Sequence, residues 1–451
     1  MDFAFTEEQE MIRDTAAAFL AEVSSSDAVR SAMVTESGYD EALWQRICGE
    51  MYWQAIHIPE AYGGLGLGYV ELVAMMEQMG RYLLCSPYFS TVCLGANALL
   101  VAGSEQQKSH WLGEICAGQL TATLAFNGGS RSWAADSISA SFRRDQEAFV
   151  LNGDYRYVVD GHTAGLLVVA AREEGSAGEQ GISLFLVPAD SPGVTTQWLP
   201  TMDQGRKQAA VTLANVRVDS ANLMGACGQA WPALSRVLDL AAVALAAEQV
   251  GGCQQLLDMT VEYTTERVQF NRPIASFQAV KHKAADMMLK TEVARSAVYY
   301  AACVAEEALK GGELAGELPE AASVVKSYCS DAYFAVAGDS LQLFGGVGFT
   351  WEYDVHLYFK RAKSSEHMLG DACAHRERLA VALLDQGRQS GSCVLARRMS
   401  SSAPRWPAGL RIISRASLPS SSIAAVPVTS TRFHKSEKSG SRSSQKAAGP
   451  A

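Results

Sequence analysis

A chain of 451 residues is long enough for two or three domains, each with its own core. Apolar residues make up 48% and charged residues 19%, the balance of an ordinary globular protein. The net charge of −10 excludes a nucleic-acid footprint over the body, because Ser392–Ala451 carries ten Lys/Arg against the single acid Glu437, about +9, leaving about −19 elsewhere.

In chain order, residues 1–120 read as helical. Thr6 followed by Gln9 has the form of a capping box, and Met11, Ile12, Thr15 and Phe19 recur at helical spacing behind it. The Gly-rich run Ile58–Gly68 breaks the pattern before a further helix reaching Gly80. Across 121–228 the runs AFVLNGDYRYVVDG, GLLVVAAR, GISLFLVPAD and QAAVTLANVRV predict an antiparallel β domain, with Asn152-Gly153 as a hairpin turn. Across 229–388 the Ala/Leu-rich stretch 233–267, ended by Pro273, and the stretches 277–309 and 321–344 predict a four-helix bundle. Residues 389–451 are rich in Ser, Pro and Arg without periodicity and read as a disordered basic tail.

The ten cysteines form no C-x-x-C pair and sit at no zinc-site spacing, so no metal is expected and they read as reduced core residues. The acidic start MDFAFTEEQE lacks the pattern of a signal peptide, and no apolar run is long enough to span a membrane. A cytoplasmic protein with no nucleic-acid or membrane partner is the expectation.

Two segments of the helical second half carry a more specific signal. ERVQFNRPIASFQAV contains Arg267, Phe270, Pro273, Ile274, Phe277 and Gln278, and LQLFGGVGF contains Gln342, Gly345, Gly346, Gly348 and Phe349. Alone, each has a plainer explanation: a solvated Arg at a helix end, or glycines that let helices pack closely. Together with FTEEQ, PEAYGGLGLG and GSEQQKSHWL in the same order, they identify residues 1–386 as similar to the acyl-CoA dehydrogenase family, with Asn271 where a glycine is usual. The resemblance implies an α+β fold: an N-terminal helical domain, a central antiparallel β domain and a C-terminal helical bundle. It further implies FAD as cofactor, an acyl-CoA substrate and an electron-accepting flavoprotein. In the family these segments reach across a subunit interface to the adenine and pyrophosphate end of a neighbouring chain's FAD. That role falls here on Arg267, Phe270, Phe277, Gln278, Gln342, Gly345 and Gly346. The chemistry is suited to it, since an Arg supplies charge and forked donors to phosphate and glycines leave backbone N–H groups accessible.

The flavin-ring end departs from the family. The loop Thr123–Ser137 lacks the usual Glu-Pro, Tyr157 stands where Trp is usual, and Val159 where a hydrogen-bonding Thr is usual. The α-proton of the substrate is removed in this family by a desolvated glutamate. Leu369 occupies the commoner position of that base and Ala241 the rarer one, so the catalytic residue is unassigned. Glu366, Asp371, Asp239 and Glu248 are the acids near enough to be weighed as substitutes. The combined pattern is similar to the base-lacking subunit of bacterial two-chain dehydrogenases acting on steroid side-chain CoA thioesters, in which the partner chain keeps the base. The alternatives are a self-sufficient homo-oligomer with a displaced acidic base, and a non-catalytic stabilising partner.

Overall fold

In the computed structural model, residues 6–130 and 132–385 are described; the tail expected at 389–451 lies outside them. The first helix, α1 (Glu7–Val23), begins as the capping box requires: the Thr6 hydroxyl accepts from the Gln9 N–H and the Gln9 side chain accepts from the Thr6 N–H. It is followed by α2 (Ser26–Met33), α3 (Glu41–Arg46) and α4 (Tyr69–Arg81). Three short helices, α5 (Asn97–Ala102), α6 (Glu105–Gln107) and α7 (Gly113–Cys116), complete the first region.

The central sheet contains β1 (Ala122–Ala125), β2 (Ser141–Asp145), β3 (Ala148–Val159) and β4 (Leu166–Glu173). It continues through β5 (Ile182–Pro188), β6 (Val194–Leu199), β7 (Gln208–Asp219) and the short β8 (Leu223–Met224). The order is β6-β7-β3-β2-β4-β5-β8, with β1 also on β4. Most pairs are antiparallel, but β1 and β2 both run parallel to β4, so the sheet is less uniform than expected. The continuous apolar runs of β4 and β5 reflect burial on both faces. Leu167, Val169 and Phe185 enter a core with Phe142 and Phe149, while Leu166, Val168 and Leu184 enter the core shared with the helices.

The expected hairpin at Asn152-Gly153 is not one. The chain turns earlier, at Gln146, whose φ is +59°, and β3 passes through Asn152 as a single strand. The pairing with β7 shifts register between Leu151 and Gly153, and a Cβ at 153 would lie 2.4 Å from the Ala140 side chain. The glycine serves a bulge and a close contact, and Asn152 spends its side chain on Asn215.

The last region is built on α8 (Trp231–Glu266), a two-stranded hairpin of β9 (Val268–Gln269) and β10 (Arg272–Pro273), then α9 (Gln278–Lys310) and α10 (Leu318–Phe344). Two shorter helices, α11 (Val355–His367) and α12 (Ala372–Ala380), occupy the place of a fourth long one. The small side chains of α8 let other helices approach it closely: a Cβ on Gly251 would fall 1.7 Å from the Glu77 carbonyl oxygen of α4, and one on Gly80 2.0 Å from that of Glu248. Bonds from Gln249 to Ser330 and from Thr260 to Ser340 run in register, so α8 and α10 are parallel. Their C-terminal ends therefore meet at one end of the bundle, where Lys283 near the start of α9 pairs with Asp339.

Of the nine cysteines among the described residues, five are buried, three half-buried and Cys373 is exposed; all are free thiols. The core expectation holds for most of them and fails for Cys373.

Candidate active site and cofactor arm

The end of the bundle formed by α8, α9 and α10 collects the residues singled out by sequence. Arg267 caps α8 in an extended conformation, and its guanidinium makes no hydrogen bond or ion pair with any described residue. The following turn places both Phe270 (φ +55°) and Asn271 (φ +61°) in the left-handed region, a conformation Asn tolerates well, which accounts for Asn271 replacing a glycine. Phe270 is 86% exposed and meets Phe277 edge-on at 6.0 Å. Arg272 lies 4.0 Å over the Phe277 ring. Gln278 opens α9, and its amide contacts His282 at 2.9 Å.

On the neighbouring helix end, Gln342 is exposed and Gly345 terminates α10 with φ +63°. The glycines do not serve close helix packing. A Cβ on Gly345 or Gly346 would meet nothing within 4 Å, unlike Gly251, so the space beside them is open to an outside group. Tyr263 stacks on Phe344 at 4.2 Å and fixes the two helix ends together. A free guanidinium, exposed amides and an accessible glycine backbone fit the phosphate-bearing end of FAD. Of these side chains only the Gln278 amide has a partner among the described residues, the His282 ring.

The flavin-ring end does not fit. Tyr157 sits on a bulge at φ +61°, turned outward and 56% exposed, and Val159 is buried at the inner end of β3 without a donor. The space beside Val159 is bounded by Met76, Phe89, Asp160, Arg206 and Glu248 and measures only about 20 Å³, room for one or two waters. Arg206 and Glu248 on its wall belong to an ion network joining the sheet to the bundle. Arg206 donates to one Glu248 oxygen, and Arg361 donates to the other at 3.0 Å. Arg361 also donates through Nε to Asp203, and the four side chains are 3–7% exposed. Beside them the Asp160 carboxylate accepts from Ser90 Oγ at 2.6 Å. Burial raises its pKa to about 6, against the opposing effects of that bond and of the two arginines.

None of the positions weighed for a base presents one. Ala241 is fully buried in α8. Leu369 is 7% exposed and held at φ +60°, with its carbonyl on His375 at 2.9 Å. The four nearby acids are engaged. Glu248 lies between two arginines, Asp239 is gripped by both Arg378 nitrogens, Glu366 pairs with Lys363 at 2.8 Å, and Asp371 caps α12 through the Ala374 N–H at 2.9 Å. The turn Glu366–Gly370 is tied down by Lys326, whose buried ammonium donates to Ser330 Oγ (2.9 Å) and to the carbonyls of Glu366 (3.1 Å) and Gly370 (2.9 Å).

Sequence reasoning singled out the residues at this end of the bundle and did not single out Asp160, Asp203, Arg206, Arg361 or Lys326. The available signal was the run TMDQGRK between β6 and β7, which places an acid and two cations in a loop amid apolar strands.

Comparison with known proteins agrees with this architecture. Residues 6–119, 127–216 and 228–384 match, in order, the N-terminal, middle and C-terminal domains of acyl-CoA dehydrogenase. The acyl-CoA dehydrogenase IpdE2 of Mycolicibacterium smegmatis is 32% identical over 365 residues, covering 81% of this chain and 95% of that one. Among solved structures, the ChsE4-ChsE5 complex from Mycobacterium tuberculosis aligns with a TM-score of 0.75 at 27% identity, over 87% of this chain and 99% of that one. The Tcur3481-Tcur3483 steroid ACAD aligns with a TM-score of 0.75 at 29% identity, over 85% of this chain and 99% of that one. The chain belongs to the acyl-CoA dehydrogenase family of FAD-dependent oxidoreductases.

Proposed function

We propose that this chain is the subunit of a two-chain acyl-CoA dehydrogenase that holds the adenine and pyrophosphate end of the partner chain's FAD, while the partner supplies the flavin-ring cradle and the base. The observation that carries this is the narrow space beside Val159, lined by Arg206 and Glu248, which are held in place by an ion network with Arg361 and Asp203 where a ring cradle would need room. In the arm, in contrast, Arg267, Gln278 and Gln342 are exposed, and the space beside Gly345 and Gly346 is open. Bound FAD supplies hydride acceptance for oxidation of the acyl-CoA to its trans-2-enoyl thioester. This chain's residues bind and orient: Arg267 sets its charge against phosphate, and Gln278, Gln342 and the Gly345–Gly346 backbone supply directional donors. The two-chain names among the similar structures support the reading, and the steroid ACAD supports a bulky, steroid-type acyl group. Electrons pass in this reading to an electron-transferring flavoprotein. Among the described residues no helix is long and apolar enough to cross a membrane, which fits the proposed cytoplasmic setting.

The experiment is purification of the chain alone and after co-expression with an acyl-CoA dehydrogenase chain that keeps the ring cradle and the glutamate base. Alone it is expected to lack flavin; together, to carry about one FAD per pair of chains and to bleach with acyl-CoA. One FAD per protomer in the chain alone, reducible by acyl-CoA, overturns the proposal. Arg267→Ala is expected to release FAD from the co-expressed assembly.

A further inference from the structure

The ion network between sheet and bundle has a neighbour whose charge is not fixed. Asp160 follows β3, is 6% exposed, and shares the narrow space beside Val159 with Arg206 and Glu248. Its backbone is tied on both sides: the N–H donates to the Lys207 carbonyl at 3.0 Å, and the carbonyl accepts from the Ala164 N–H at 2.9 Å. Its carboxyl meets Ser90 Oγ at 2.6 Å, and the same hydroxyl lies 3.0 Å from the Pro87 carbonyl. A serine has one proton to give to these two acceptors. When Ser90 donates to Asp160, the carboxyl is ionised; when it donates to Pro87, the short contact takes its proton from a neutral Asp160. Both protonation states fit the same heavy-atom positions.

The other charges around Asp160 are placed unequally. Asp203, Arg206 and Lys207 come from the loop before β7, Glu248 from α8 and Arg361 from α11. Tyr39 faces it from the chain between α2 and α3, and His162 lies in its own turn. The Lys207 ammonium is turned away and donates to the Met33 carbonyl at 2.8 Å, while the His162 ring meets the Glu36 carbonyl at 2.8 Å. Two guanidiniums therefore face two carboxylates, Asp203 and Glu248, and a charged Asp160 makes a third. Arg361 holds both Asp203 and Glu248, so Glu248 keeps a partner if Arg206 leaves it. Among the described acids Arg206 pairs with Glu248 alone, and it stands on a loop rather than a helix. Of the two cations it is the one that can move.

Opposite charges attract far more strongly in an enclosed site than in water, so ionisation of Asp160 competes with Glu248 for Arg206. We propose that Asp160 is a proton-operated latch on the clamp between sheet and bundle. Protonated, it leaves Arg206 on Glu248; ionised, it draws Arg206 across the shared space and releases the loop before β7 from α8. Burial holds this carboxyl up at about 6, against the lowering effect of Ser90 and the two arginines, which puts the change between mildly acidic and neutral pH. The folded value lies above the ordinary 3.8, so between the two the folded chain binds more protons than the unfolded one. The stability contributed by Asp160 therefore falls as the pH rises through that window. The latch belongs to this chain by itself and does not depend on the two-chain reading.

The test compares the full chain as wild type, as Asp160→Asn, whose amide matches the carboxyl in size and cannot ionise, and as Arg206→Gln, which lacks the moving group. Backbone hydrogen exchange over residues 201–207 is read at about pH 5 and about pH 7.5, corrected for the intrinsic pH dependence of exchange. Wild type is expected to exchange several-fold faster at the higher pH, Asp160→Asn to stay slow at both, and Arg206→Gln to be fast at both. Urea unfolding at the same two values gives a second reading, in which Asp160→Asn is expected to gain stability on wild type at the higher pH. Equal loop exchange at both values in wild type overturns the inference, and that outcome needs no variant. A pH dependence that persists in Asp160→Asn or in Arg206→Gln also overturns it, because another group is then the sensor or the moving part. A stability difference that changes with pH while loop exchange does not shows that Asp160 titrates without moving Arg206, and the latch falls.

Discussion

Lys326 carries its charge in a fully enclosed site with only neutral oxygens as bonded partners, Ser330 Oγ and the carbonyls of Glu366 and Gly370. Burial pulls its pKa from 10.5 down to about 7, against the raising effect of Cys329, Glu366, Asp371 and Asp331. Between those two values the unfolded chain binds more protons than the folded one, so stability rises with pH there. The penalty of the buried ammonium is therefore full below about pH 7 and relieved as the pH climbs through the window. Comparing urea unfolding of wild type and Lys326→Met at about pH 6 and about pH 9, the wild type is expected to gain on the variant at the higher pH. Two neighbouring acids separate at the same scale. Glu248→Gln weakens the countercharge of two buried arginines and is expected to cost about 3–5 kcal/mol in denaturant unfolding. Glu366→Gln touches only a partly exposed pair with Lys363 and is expected to change stability by less than about 1 kcal/mol. Turnover of the co-expressed assembly should survive Glu366→Gln; its loss would restore Glu366 as a base.

Helix contacts turn on what replaces each glycine. In α8, Gly251→Ala would drive a methyl into the backbone of α4 and is expected to destabilise the fold by several kcal/mol. In α10, a Cβ on Gly338 would meet nothing within 4 Å, so Gly338→Ala is expected to stabilise by about 1 kcal/mol through helix propensity alone. Thermal unfolding of the two variants should shift in opposite directions. Elements whose cause is local were legible in the sequence: the Thr6/Gln9 box set the start of α1, and the long apolar stretches gave α8, α9 and α10 to within three residues. Asn152-Gly153 misled because the same dipeptide serves a tight turn or a bulge, and only the approach of Ala140 decides between them. The residues proposed for the arm could be picked out because they stand in two short segments, 267–278 and 342–346, which the fold brings to one end of the bundle. The network could not be, since Arg361 and Asp203 stand 158 residues apart and nothing local marks them as partners.

At the scale of the molecule, the network joins the loop before β7 to α8 and α11, so sheet and bundle are clamped together by this chain's own side chains. In a dehydrogenase with an open cleft, cofactor occupancy and folding are linked, because a ligand that binds only the native state stabilises it in proportion to RT ln(1 + [L]/Kd). On the two-chain proposal that linkage moves from the chain to the assembly. Added FAD is expected to leave the melting temperature of the isolated chain unchanged and to raise that of the co-expressed pair, which differential scanning calorimetry distinguishes. On the same proposal, a chain stapled in this way can be made, folded and stored in cells short of flavin, with the supply of cofactor governing how much of it is paired rather than how much of it survives.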